Sequence, residues 1–193
     1  MTDYLLFIDT EATGLPLNWE LPYSTPGNWP HAIQVSWLVY SREGVKIKEE
    51  DHYIHEPGIT ISPDAARIHR LRRDFLQING KRRASVLQLL EADLARYEPL
   101  LVGHFLNLDL HVLRAEYFRE GMSDPTRQLP TYCTMLGSKH LQPNPSLRYL
   151  KLGDLCETLF GRAQQHPHDA YWDARTTADC YFELERRGQI QTL

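Results

Sequence analysis

The chain has 193 residues, 42% of them hydrophobic, enough to bury one sizeable core but short for two, so residues 1–193 are expected to form a single domain. A formal charge of −4 excludes a protein that grips nucleic acid by bulk positive charge, yet suits one whose carboxylates hold divalent cations, because bound metal reverses the local sign. Cys133, Cys156 and Cys180 are scattered with no Cys-x-x-Cys pair, and no window approaches the roughly 18 apolar residues of a membrane span. A disulfide framework and a membrane anchor are thereby excluded, and a reducing cytoplasm is the expected location.

Tyr4 to Ile8 is an uninterrupted apolar run, the pattern of a central strand buried on both faces, with Asp9 at its end. Leu15 to Pro30 carries Pro16, Pro22, Pro26 and Pro30 with Trp19, Tyr23 and Trp29, and reads as a loop. Ala32 to Tyr40 alternates, with Ile33, Val35, Trp37 and Val39 on one face and Gln34 and Ser36 on the other. A third strand is expected over Val45 to Ile54, and short connections make the three an antiparallel meander.

Ser62 caps a helix that has Pro63 at its first position, and a second helix runs from about Ser85 to Tyr97 with Leu87, Leu90 and Leu94 on one face. Pro99 ends it. Leu100-Leu101-Val102 reads as a short buried strand, followed by a helix containing Val112, Leu113, Tyr117 and Phe118 and stopped by Gly121. A strand near Thr131 to Met135 and helices near Leu152 to Phe160 and Asp169 to Arg187 complete the chain. This order implies an α/β fold of the ribonuclease H type: a mixed five-stranded sheet, three antiparallel strands then parallel ones, flanked by helices. One basic stretch, Arg67, Arg70, Arg72, Arg73, Lys81, Arg82 and Arg83, is either a solvated helical face or a patch for phosphates.

Three acidic features stand out. Asp9 and Glu11, two apart on a strand, point to the same side, and like charges so placed repel unless a cation lies between them. Asp109 sits where a buried strand gives way to a helix, a place for a first-turn carboxylate. His168-Asp169-Ala170-Tyr171-Trp172-Asp173 opens the last helix, with Asp169 as a candidate cap, Asp173 one turn on and His168 just outside. A zinc site on His104, His166 and His168 finds no cysteine nearby.

Taken together, Phe7-Ile8-Asp9-Thr10-Glu11-x-Thr13-Gly14, then His104 with Asp109 five residues on, then His168-x-Ala170-x-x-Asp173, resemble the three motifs of the DnaQ-like DEDDh exonucleases. Ala65-Ala66-Arg67-Ile68-His69 and Leu101-Val102-Gly103-His104 extend the resemblance, which covers about Tyr4 to Leu184. It implies a 3′→5′ exonuclease acting on DNA ends by a two-metal-ion mechanism, with an exoribonuclease or an inactive 3′-end-binding module as alternatives. Asp9, Glu11, Asp109 and Asp173 would hold two magnesium ions, with manganese able to substitute, and His168 would act as general base. Thr10, Ala12, Thr13, Gly14, Leu15, His69, His104 and Phe105 would line the substrate groove.

The chain departs from the family pattern at Phe105, at Arg70 where a glycine is usual, and at Cys133-Thr134, which leaves the choice between DNA and RNA open. Only 20 residues (193 − 173) follow Asp173, so the polymerase-docking tail of replicative proofreading subunits is not expected. Neither is a membrane partner, and the sequence leaves the oligomeric state undetermined.

Overall fold

A computed structural model describes residues 2–144 and 146–190. Three antiparallel strands open the chain: β1 (Tyr4–Ala12), β2 (Ala32–Ser41) and β3 (Lys46–Tyr53). Helices α1 (Pro63–His69), α2 (Arg73–Asn79) and α3 (Arg83–Tyr97) lead to β4 (Leu100–Gly103) and α4 (Leu106–Arg119). Then come β5 (Thr131–Cys133), α5 (Thr134–Gly137), α6 (Leu152–Phe160) and α7 (Ala170–Arg186). The sheet order is β3-β2-β1-β4-β5, with β4 parallel to both β1 and β5. This is the mixed sheet that the element order implies.

β1 runs past its apolar run to Ala12, carrying Asp9 and Glu11 on the strand as expected, because β2 pairs it residue for residue from Tyr4↔Ser41 to Glu11↔Gln34. Two features differ from the sequence reading. β5 ends at Cys133, and Thr134 and Met135 begin a short helix. α2 was not anticipated: it buries only Leu76 and has no side-chain cap, so it carries almost no amphipathic signal.

Period-two geometry divides β1 between two cores. Leu6 and Ile8 face a cluster shared with Trp37, Leu87, Leu90, Leu94, Val112, Leu113 and Tyr117, which belong to β2, α3 and α4. Leu5 and Phe7 face the opposite side, where Ala178 and Tyr181 of α7 cover the sheet, and α6 packs on α7 through Leu155, Leu159, Cys180 and Leu184. The face of β2 that looks polar in the sequence is also buried: Gln34 and Ser36 are both 0% exposed. Their polarity is satisfied, since Gln34 donates to Asp51 and accepts from the Ala170 N–H, while the Ser36 hydroxyl donates to Asp51.

All three cysteines are free, and among the described residues no helix is long and apolar enough to cross a membrane.

Candidate active site

β4 pairs with β1 only as far as Phe7↔Val102, whereas β1 continues five residues further. Gly103 makes the close turn-away possible: a side chain there would meet the Leu106 side chain at 2.8 Å and the Ile8 carbonyl at 3.2 Å. The β1 edge left beyond β4 is taken up by the first turn of α4. Asp109 Oδ1 accepts both the Thr10 N–H at 2.9 Å and the Thr10 hydroxyl at 2.8 Å, so the carboxylate replaces a strand partner. Asp109 is 4% exposed.

Asp9 and Glu11 share the β1 face that carries Leu5 and Phe7, and point toward the N-terminus of α7. That end is fixed by Asp169, which accepts from the Tyr171 and Trp172 N–H groups, and by the Gln34 bond to Ala170. One turn on, Asp173 accepts from the Gln164 amide and from the His168 N–H. His168 itself is exposed and left-handed at φ 65, an uncommon conformation for a residue with a side chain. Ligand atoms of Glu11, His168 and Asp173 lie within 4.8 Å of one another.

The electrostatics agree with the geometry. Burial first, then the neighbouring Asp109, Asp173, Glu11 and Asp169, push Asp9 well above the usual carboxylate range. Burial and the charges of Asp173, Asp109 and Asp169 push Glu11 up to about 8. Burial raises Asp109 to about 7 against the pull of the two Thr10 bonds, and burial raises Asp173 to about 7 against its bonds to His168 and Gln164. The charges acting between these groups are all negative, which is the signature of a pocket built for cations.

The residues expected along the groove fall into distinct surroundings. Thr10 is occupied with Asp109, and Thr13 braces the loop through bonds with both the N–H and the carbonyl of His31 and with the Ser62 N–H. Ala12 closes β1 opposite Ala32, and Gly14 lies against Ser62. His69 is buried; its Nδ1 accepts from the Leu71 N–H, and its Nε2 has no partner among the described residues.

His104 is locked between the Thr134 hydroxyl at 3.0 Å and the Leu150 carbonyl at 3.1 Å, and burial lowers its imidazole to about 4. Substrate could reach its ring nitrogens only by displacing those bonds, and the histidine trio considered for zinc is ruled out on the same ground. Sequence reasoning missed Gln34 and Gln164: Gln34 is a neutral amide far from the acidic motifs, and Gln164, four residues before His168, is a neutral amide in a loop, so only the fold shows that both reach the carboxylates.

The proline-rich loop is pinned to α4. The Trp29 ring stacks on His111 at 4.9 Å between centroids with an interplanar angle of 1°, and its indole N–H donates to the Leu21 carbonyl. Trp19 packs edge-on to Trp29 and reaches Phe105 at 6.1 Å. Leu15, Trp19 and Phe105 stay exposed at 68%, 38% and 39%. Phe105 is left-handed as well, at φ 64, immediately before α4.

Comparison with solved structures gives E. coli exonuclease I in complex with a dT13 oligonucleotide at 18% identity, with a TM-score of 0.78, covering 96% of this chain and 41% of that one. The zinc-bound form of the E. coli enzyme with single-stranded DNA gives 18% identity and a TM-score of 0.79, over 96% of this chain and 41% of that one. A moderately thermophilic exonuclease I from Methylocaldum szegediense gives 18% identity and 0.76, over 95% and 40%. At such identities the likeness is one of fold, and the chain spans about two fifths of the length of these enzymes. No curated protein sequence matches it. The family model described as RNase_T exonuclease matches residues 6–181, taking in all three acidic motifs, so the chain belongs to the DnaQ-like RNase_T exonuclease family.

Proposed function

We propose that the chain is a divalent-metal-dependent 3′→5′ exonuclease that releases nucleoside 5′-monophosphates from single-stranded or frayed DNA ends, with residues 1–193 acting as one catalytic domain. One observation carries the reading: Asp9, Glu11, Asp109 and Asp173 converge with no cation among the charges that act on them, at the open end of β1. A purely structural role would favour paired or solvated acids, since buried like charges destabilise the fold that holds them. The donor set is oxygen-rich and fits magnesium or manganese. Two such ions, held by these four carboxylates, would stabilise charge on the scissile phosphate and on the departing oxygen.

The chain's own groups supply the rest. Thr10 fixes one oxygen of Asp109, and Gln164 with the His168 N–H orients Asp173. His168, exposed on its loop yet within reach of Glu11 and Asp173, takes the proton from the attacking water. His69 brings an unpartnered Nε2 that suits a substrate oxygen, and Leu15 offers an apolar edge to the terminal base. DNA is preferred as the substrate class because the exonucleases I of like fold are solved on DNA oligonucleotides.

Asp9→Asn, Glu11→Gln, Asp109→Asn and Asp173→Asn should each cut turnover by more than about a hundredfold while leaving circular dichroism unchanged. Full magnesium-dependent activity in the Asp9 variant would remove the mechanism. Release of mononucleotides from matched DNA and RNA strands labelled at either end tests direction and substrate in one experiment.

A further inference from the structure

Arg70 follows α1 and closes it, its N–H donating to the Ala66 carbonyl with φ at 61. Glycine adopts that left-handed conformation freely, whereas any side chain is strained there. The fold gains nothing visible from the arginine. Its side chain is exposed and, among the described residues, makes no ion pair and donates no hydrogen bond. Most cations around it are committed, Arg67 to Asp64, Arg72 to Asp74, Arg83 to Glu116 and Glu120, and Lys81 to His52, while Arg73 and Arg82 are, like Arg70, unpaired among the described residues but sit in ordinary backbone conformations.

Position gives the free guanidinium a use. Arg70 adjoins His69, whose Nε2 has no partner among the described residues, and α1 is tied at its start to the segment just after Glu11, the Ser62 N–H donating to the Thr13 carbonyl and Gly14 lying against Ser62, so α1 runs beside the carboxylate pocket. With Leu71, Phe75 and Ile78 it lines an open groove of about 490 Å³, and Phe75 and Ile78 are 39% and 82% exposed. A cation beside an apolar floor matches a single strand of nucleic acid, which offers a phosphate to one and base faces to the other.

Resting on the exonuclease reading, we propose that Arg70 anchors a phosphate of the substrate strand outside the scissile position, and that strain at the end of α1 is tolerated for this contact.

The test compares wild type, Arg70→Gly and Arg70→Lys in two assays. Binding of a short fluorescent oligodeoxythymidylate is titrated against salt with calcium in place of magnesium. Turnover is followed on the p-nitrophenyl ester of thymidine 5′-monophosphate, which carries only the scissile phosphate. Arg70→Gly should melt no lower than wild type yet bind the oligonucleotide about fivefold or more weakly at low salt, with a salt slope shallower by about 0.7. Arg70→Lys should recover the slope, and ester turnover should be equal in all three proteins. Wild-type affinity and slope in Arg70→Gly, or a fall in ester turnover matching the fall in binding, would overturn the proposal. A wild-type protein that, with magnesium, hydrolyses neither the ester nor the oligodeoxythymidylate would defeat the exonuclease reading separately, and the binding titration would still decide for or against Arg70.

Discussion

Glu11 shows how the site weighs on the protein that holds it. Its carboxyl is pushed up to about 8, and those of Asp109 and Asp173 to about 7, so the metal-free folded chain keeps protons that the unfolded chain releases near pH 4. For acids raised in this way, the stabilisation is complete below the unfolded value and is lost as pH climbs through the folded one. Metal-free protein should therefore melt at a lower temperature at pH 8.5 than at pH 5.5, and Glu11→Gln should remove part of that decline, on the order of 1–3 kcal/mol. Magnesium should raise the melting temperature more at pH 8 than at pH 6, because ligands must lose their protons to bind it. A scanning fluorimetry grid of pH against magnesium checks both signs.

His168 belongs to the same scale. As the base it should impose an acidic limb on kcat, and His168→Ala should lose that limb with about a hundredfold of the rate. Survival of the limb in the variant would point to another group.

At the scale of elements, Gln34 and the Leu15–Pro30 loop separate what positions the site from what meets substrate. Gln34 is buried between β2 and α7, holding the Ala170 N–H at 3.2 Å and Asp51 at 2.9 Å. Gln34→Leu keeps the volume but leaves a helix-terminal N–H unsatisfied, at a cost of about 1–3 kcal/mol. It should lower kcat with little change in KM, since α7 carries Asp173 while the groove is untouched. Trp29, stacked on His111 and 3% exposed, is structural: Trp29→Ala should destabilise by about 3–5 kcal/mol. Leu15, at 68% exposure, should do the reverse, weakening capture of single-stranded ends in the Ala variant while the melting temperature holds. Chemical denaturation together with KM on short strands separates the two.

The same elements explain what the sequence discloses. The strand meander, the helix faces of Leu87, Leu90 and Leu94, and the Asp169 cap are written in local periodicity and cap chemistry, and the structure has them. The end of β5 at Cys133 is not, because Thr134 turns into a short helix there. α2 escapes because a seven-residue helix with one buried side chain has no period to detect. Gln34 and Gln164 have no motif of their own: the part of Gln34 follows from a contact 136 residues along the chain, and that of Gln164 from a loop geometry no pattern announces.

For the molecule as a whole, the sheet divides the labour. The face under α3 and α4 is a nearly dry core, while the face under α7 shades from the apolar Leu5 and Phe7 into the carboxylates of the same strand. The pocket is closed by bonds that reach far along the chain: Thr10 to Asp109 across 99 residues, and Gln34 to Ala170 across 136. Each motif alone is an ordinary acidic turn or strand, and chemistry is a property of the completed sheet. On the exonuclease reading, a polypeptide that ends before α7 lacks Asp173 and the Gln34 bond that seats it, so a truncated product is expected to be inert rather than half-active.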